Sequence, residues 1–394
     1  MWPIADKDWV AMVCDSRLAQ AYRRVFSTIH RFFPNRQFEK LFLPQPGHSG
    51  LFKLPRLIIK ALQRQRAQKK SLLDVILVQS SDVILMADAS WQIPNWDCVH
   101  SAQAKGAWVG NVIYDLIPLT HPEFFARDLV ERFEQWFDKA IRTSDFFVCI
   151  SDHVAQQVRE RLVSLGVDWN LAQNICLSFP MGADIDVSEN CEVALNDLTC
   201  YFAEKRENNP HLVVGTLEPR KNHCFILDSF DQLWNKGSNE KLCLIGRVGW
   251  NCDKLLERIR NHPEFTRKLF VAHTASDADI AFAYRHAKSV ITASHTEGFG
   301  LPIIEGLQFD QIVLASDTGV HREVGGAHAR YFRIDGACNE LAQEIMQVDK
   351  LREHRSIYPI CFQAVHWDES YRTLVSRIDQ IVDFRSAQRK LLAA

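Results

Sequence analysis

Short apolar runs recur along this chain, and many are apolar at every position instead of at every second one. Val83 to Ala87, Phe146 to Ile150, Leu242 to Ile245 and Ile312 to Ala315 have this character. A strand with one wet face alternates, whereas a strand covered on both faces does not. These runs therefore call for parallel sheets flanked by helices. Further runs at Trp9 to Cys14, Trp108 to Tyr114, Cys176 to Phe179, Leu212 to Gly215, Leu269 to Ala272, Ser289 to Ala293 and Ala329 to Phe332 extend the pattern. Amphipathic stretches lie between them, with Asp128 to Ile141, Phe225 to Trp234 and Asp277 to His286 reading as helices. Over 394 residues this alternation exceeds one core and predicts two doubly wound α/β domains.

The join is visible in the composition. After Met181-Gly182-Ala183-Asp184 comes a polar, acidic span ending in Glu204-Lys205-Arg206-Glu207-Asn208-Asn209-Pro210. The expected organisation is a first domain over 1–184, a linker over roughly 185–209 and a second domain over 210–365. The segment 366–394 is helical in pattern and is expected to cross back onto the first domain.

A formal net charge of −2 excludes a global field for nucleic acid, and no nucleic-acid motif is present. The 11 cysteines are odd in number and never spaced as Cys-x-x-Cys, so they read as reduced thiols in a cytoplasmic protein. The first residues carry no basic and apolar leader pattern, and no apolar run approaches the roughly 20 residues of a membrane span. Residues 51–70 are locally basic: Lys53, Arg56, Lys60, Arg64, Arg66, Lys69 and Lys70 occur without an acidic residue. Leu54, Ile58 and Leu62 recur four apart, so this stretch is either a basic helix with one buried face or a peripheral contact with an anionic membrane.

The segment richest in chemistry is Ser294-His295-Thr296-Glu297-Gly298-Phe299-Gly300-Leu301-Pro302-Ile303-Ile304-Glu305-Gly306. A buried strand ends before it and a helix follows, so Gly298 and Gly300 permit a tight turn at a helix N-terminus, which is an anion site. Pro302 suits the first helical position. Glu297 and Glu305 frame the turn, and ionised carboxylates pair with the diols of sugars and ribose. Taken alone, Glu305 reads as a residue that complements the helix dipole; the surrounding loops change that reading. Two further loops leave strand ends on the same edge. Gly215-Thr216-Leu217-Glu218-Pro219-Arg220-Lys221-Asn222 brings Arg220 and Lys221 to where a diphosphate would sit. Ile245-Gly246-Arg247-Val248-Gly249-Trp250 is the third. Together they resemble a pocket for a nucleotide sugar.

In combination these motifs resemble the retaining glycosyltransferases of the GT-B fold, in particular glycosyltransferase family 4. Glu297 and Glu305 match its Glu-x7-Glu motif, and Gly215 to Asn222 its phosphate loop. Tyr114-Asp115-Leu116-Ile117-Pro118 looks like the acceptor-side loop of polysaccharide-assembly members, and Ser151 falls at a serine-bearing strand end. Many relatives have His-Asp where this chain has Tyr114-Asp115, an arginine at Thr216, and a glycine-rich loop where Asp15 to Ala19 stand here.

The resemblance implies transfer of a sugar, with retained configuration and by front-side attack, onto a glycan or lipid-linked glycan of O-antigen, capsule or lipopolysaccharide type. GDP-mannose is its first candidate donor. The resemblance assigns Glu297, Lys221, Arg220 and Asp115 to catalysis. It assigns Glu305, Gly298, Phe299, Gly300, Leu301, Gly215, Thr216, Gly246 and Arg247 to the donor, and Tyr114 and Ser151 to the acceptor side. Asp115 also reads as a turn or cap residue ahead of Pro118. No metal or other cofactor is expected: Asp277-Ala278-Asp279 reads as the first turn of a helix capped by Ser276, and Asp184-Ile185-Asp186 lies at the domain exit. Another GT-B enzyme, such as a sugar-nucleotide epimerase or a phosphorylase, and a non-catalytic glycan-assembly scaffold remain open readings.

Overall fold

A computed structural model of the chain describes residues 78–80, 82–87, 96–183, 197–202, 208–336, 338–357 and 362–393. The strand expected at Trp9 to Cys14, the basic stretch 51–70 and Asp184 lie outside these residues. Among the described residues no helix is long and apolar enough to cross a membrane.

Two all-parallel sheets form, one on each side of the acidic span. The first has the order β1-β2-β3-β4, built from Val83–Met86, Trp108–Ile113, Phe146–Cys149 and Cys176–Ser178. Its register sets Gly110 against Phe146 and Phe147 against Cys176. The second has the order β10-β9-β8-β5-β6-β7. Here β5 is His211–Val214, β6 Leu242–Ile245, β7 Leu269–Ala272, β8 Ser289–Thr292, β9 Val313–Ser316 and β10 Arg330–Phe332. Strands β2, β3, β6, β8 and β9 are buried along their whole length, which is why their sequences do not alternate.

Helices cover the sheets by ordinary amphipathic logic. The helix Arg127–Thr143 buries Phe133, Trp136, Phe137 and Ala140, a one-sided stripe in the core of the first sheet. Each large apolar side chain so buried contributes about 1.5–3 kcal/mol. The last helix, Trp367–Ala393, lies against β3 and β4 of the first sheet. Ile381 is fully buried there, Ser370 Oγ donates to the Pro180 carbonyl at 2.7 Å, and the Arg389 guanidinium sits 3.4 Å over the Trp108 ring. Within the span expected as linker, a short helix Asp197–Tyr201 places Leu198 and Phe202 in the core of the second sheet. An apolar pair four residues apart is easily hidden in an acidic stretch.

In the second sheet β5 leads to β6 and β7 on one side, while β8, β9 and β10 extend the other. The strand order reverses between β5 and β8, and a crevice opens at the carboxyl ends of strands at such a point. The loops after β5 and β8 are the two that carry Arg220, Lys221 and Glu297.

At the other end of this sheet a buried charge network staples the strands. Lys288 Nζ donates to both Glu240 oxygens, at 2.8 and 3.0 Å, and His211 Nε2 lies 2.9 Å from Oε2. Burial pushes the Glu240 carboxyl up, but His211 and Lys288 outweigh it and bring the pKa to about 2. A carboxylate with a depressed native pKa stabilises the fold above its unfolded value of about 4.3, and that contribution fades as pH falls towards the native value. Glu240→Gln is expected to cost roughly 2–3 kcal/mol at neutral pH. It should also flatten the loss of stability between about pH 4.3 and about pH 2, read from melting temperatures across that range.

Candidate active site

Glu297 follows β8 on a buried turn, with 9% of its surface exposed. Its oxygens are taken by two cations from the loop after β5. Arg220 Nη1 donates to Oε2 at 2.5 Å, and Lys221 Nζ donates to Oε1 at 2.5 Å. Arg220 also donates to the Thr296 carbonyl at 2.8 Å and to Glu218 Oε1 at 2.6 Å. The His295 amide returns a bond to the Arg220 carbonyl at 2.9 Å. Burial would raise the Glu297 pKa, but Lys221 and Arg220 hold it well below the usual carboxylate range. The two loops are thus one electrostatic unit, with two cations facing an anion that does not titrate near neutrality.

Glu305 stands on the helix Leu301–Gln308 and accepts from the Tyr284 hydroxyl at 2.6 Å. Burial raises its pKa, with the Tyr284 bond and Lys221 opposing. That helix starts at Leu301, so Pro302 is its second residue; the N-cap, Gly300, has φ of 102°, in the left-handed region that favours glycine. Gly215 follows β5 beside Lys221, and Gly246 lies against the Gly215 carbonyl, where a Cβ would come within 1.8 Å of the oxygen. Thr216 and Arg247 flank this contact: the loops run side by side, with Leu217 N–H donating to the Arg247 carbonyl at 2.8 Å. The Arg247 side chain is exposed.

The first sheet meets these loops directly. A Cβ on Gly298 would lie 2.1 Å from the Tyr114 carbonyl oxygen, so only glycine allows this approach. Trp250 Nε1 donates to the Phe124 carbonyl at 2.6 Å, and the Phe124 ring lies 5.3 Å from that of His295. Asp115 accepts from the Ile117 amide at 3.0 Å, which is the turn role, while its side chain also feels Arg220, Glu297 and Glu218. Burial raises its pKa, with the Ile117 bond and Arg220 acting against the rise. Tyr114 is exposed, and its hydroxyl donates to the Ala87 carbonyl at 2.6 Å.

Two of the expected site residues have other work. Ser151 caps the helix Asp152–Ser164, accepting from Val154 N–H at 3.1 Å, and donates to the Gly298 carbonyl at 2.7 Å. Its hydroxyl holds the glycine turn. The Phe299 side chain packs into the core of the first sheet, with Leu301 beside it. It anchors the turn, leaving its backbone as the part that can meet a ligand. Sequence reasoning missed Glu323 altogether. Its carboxylate accepts from the amides of Asp152 and His153, at 2.7 and 2.8 Å, capping a helix of the first sheet from the second. Asp279 completes a capping box with Ser276.

Residues 202–358 match the family model described as "Glycosyl transferases group 1". The chain is 32% identical over 262 residues to the serotype-specific mannosyltransferase WbdA of Escherichia coli, an alignment that takes in 65% of this chain and 32% of that protein. It thus spans about a third of the length of the curated relatives it matches first. Among solved structures it is similar to a glycosyltransferase of Rickettsia africae, with a TM-score of 0.54 and 15% identity over 86% of this chain and 84% of that one. It is also similar to Anabaena HepE in complex with UDP and glucose, with a TM-score of 0.50 and 16% identity over 90% and 85%. These likenesses establish the fold, which is GT-B: two Rossmann-like halves joined in one chain.

Proposed function

We propose that this chain, whose residues 202–358 carry a glycosyl transferases group 1 domain on a GT-B fold, transfers a hexose from a nucleotide sugar to a glycan acceptor of O-antigen type. The observation that carries the reading is the Arg220–Lys221–Glu297 unit beside a helix N-terminus at the switch point of a parallel sheet. Such a place suits a diphosphate, and loss of the diphosphate is the step that needs help.

In the proposed reaction the bond from the anomeric carbon to the diphosphate oxygen breaks. The acceptor hydroxyl oxygen bonds to that carbon on the same face, and its proton passes to the departing phosphate oxygen. Arg220, Lys221 and the backbone at Gly298 to Leu301 would stabilise the charge that develops, without a metal ion. Glu297 holds the two cations in place and borders the sugar, and Glu305 would hold the ribose hydroxyls. The names of the mannosyltransferase relatives support GDP-mannose as the first donor to try and a glycan or lipid-linked glycan as acceptor.

The test is a thermal-shift screen against GDP, UDP, dTDP, ADP and CMP with their sugars. A ligand at 100 times its Kd adds about 2.7 kcal/mol. One nucleotide standing out, followed by sugar transfer that persists in chelator, supports the reading. Binding without turnover on any acceptor would favour a scaffold, and no response at all would remove the donor site.

A further inference from the structure

The transfer as proposed leaves the buried His321 unused. His321 lies on the helix Gly319–Gly325 and has no exposed surface. Its Nδ1 is 2.9 Å from the Ser316 carbonyl oxygen and 3.0 Å from Ser316 Oγ. A carbonyl only accepts, and Ser316 Oγ gives its single proton to the Ser294 carbonyl at 2.7 Å. Nδ1 must therefore carry the hydrogen of the neutral ring, and Nε2 presents a bare lone pair. Burial acts in the same sense, holding the imidazole pKa below its ordinary value.

Nε2 is itself buried and has no hydrogen-bond partner among the described residues. Leaving such an acceptor unpaired is costly, because the buried atom has given up its bond to water. The atom lies on the ring edge nearest the glycine turn. A Cβ built on Gly300 would lie 3.3 Å from Cδ2 and 3.7 Å from Nε2, so the glycine lets the turn close against this edge of the ring. Gly300 in turn separates Glu297 from the helix that bears Glu305.

We infer that His321 Nε2 accepts a hydrogen bond from a hydroxyl of the sugar being transferred and so helps to select that sugar. The inference rests on the donor-site reading above, and the chemistry of the parts of a nucleotide sugar points to the sugar. Diphosphate oxygens are acceptors and would repel a lone pair. Ribose belongs with Glu305 in that reading. The sugar hydroxyls are donors, and the sugar borders Glu297. A histidine in this tautomer thus distinguishes a hydroxyl from its deoxy counterpart, because the analogue leaves the acceptor unmatched.

The test uses the full chain and compares calorimetric binding of GDP, GDP-mannose, UDP and UDP-glucose. His321→Asn can keep the bond to Ser316 while removing the acceptor at the Nε2 position, and His321→Gln places an amide oxygen near it. His321→Leu serves if the asparagine variant does not fold. For the pair that the wild type binds, the asparagine variant should hold the nucleotide diphosphate within about twofold. It should bind the nucleotide sugar about five- to tenfold more weakly, with most of that loss recovered by glutamine. One monodeoxy form of the sugar should bind the wild type and the asparagine variant alike. Equal losses for diphosphate and sugar would overturn the inference and leave His321 a packing residue, as would binding unchanged for both. A wild type that binds neither these four ligands nor any nucleotide of the thermal-shift screen would overturn the donor site itself, and this inference with it.

Discussion

Replacing Lys221 with alanine is expected to lower turnover by about a hundredfold or more, the usual consequence of removing one group that stabilises developing charge. The protein should stay folded. Lys221 and Arg220 share Glu297, one on each oxygen, so the alanine variant still leaves that buried carboxylate with Arg220. The cost to stability should therefore fall short of the roughly 3–5 kcal/mol that follows when a buried charge is stranded. Single-turnover rates and a melting curve decide the matter together. Near-normal turnover would remove Lys221 from the transfer step. A collapsed melting temperature would make it a structural cation instead.

Glu297→Gln is expected to have the opposite division of effects. Lys221 would lose the carboxylate it donates to, while Arg220 would keep Glu218 and the Thr296 carbonyl. Two cations facing one fewer anion in a mostly buried setting should destabilise the protein by about 3 kcal/mol. A nucleoside diphosphate supplies the missing negative charge, so its affinity should hold or rise and much of the lost stability should return on binding. Turnover should nonetheless fall, because the cations would no longer be held in one geometry. A drop in diphosphate affinity would contradict this account. It would mean that Glu297 positions the cations for the ligand more than it competes with the ligand for them.

Much of the fold could be read from the chain because burial leaves a local record. The runs at Leu242 to Ile245 and Leu269 to Ala272 are strands at those residues, and in the other described strands one or both bounds move by one. Gly215 follows β5 instead of ending it. The glycine turn, the Arg220–Lys221 loop and the Gly246 loop were legible for the same reason. Each is a strand end followed by residues whose backbone or charge has a local meaning.

Other features left no local trace. Nothing around Phe299 says that its ring belongs to the core of the other sheet, and a serine ahead of a helix reads as a cap whether or not it also holds Gly298. Glu323 looks like any surface glutamate of a short helix, and His321 like any buried histidine. The Asp197–Tyr201 helix was masked by the polar composition around it.

By itself the sequence determined which segments are strands, that they are parallel and covered on both faces, and which loops carry cations, carboxylates and glycines. These follow from periodicity and residue type, which act over a few neighbouring positions. Only the tertiary structure decided that Glu297 neutralises Arg220 and Lys221, which lie 77 and 76 residues away, and that Ser151 grips a carbonyl 147 residues on. It alone decided that the His321 ring lies against Gly300. Those pairings depend on strand order and on the approach of two sheets, and a side chain's partner across that distance is set by where the backbone travels in between.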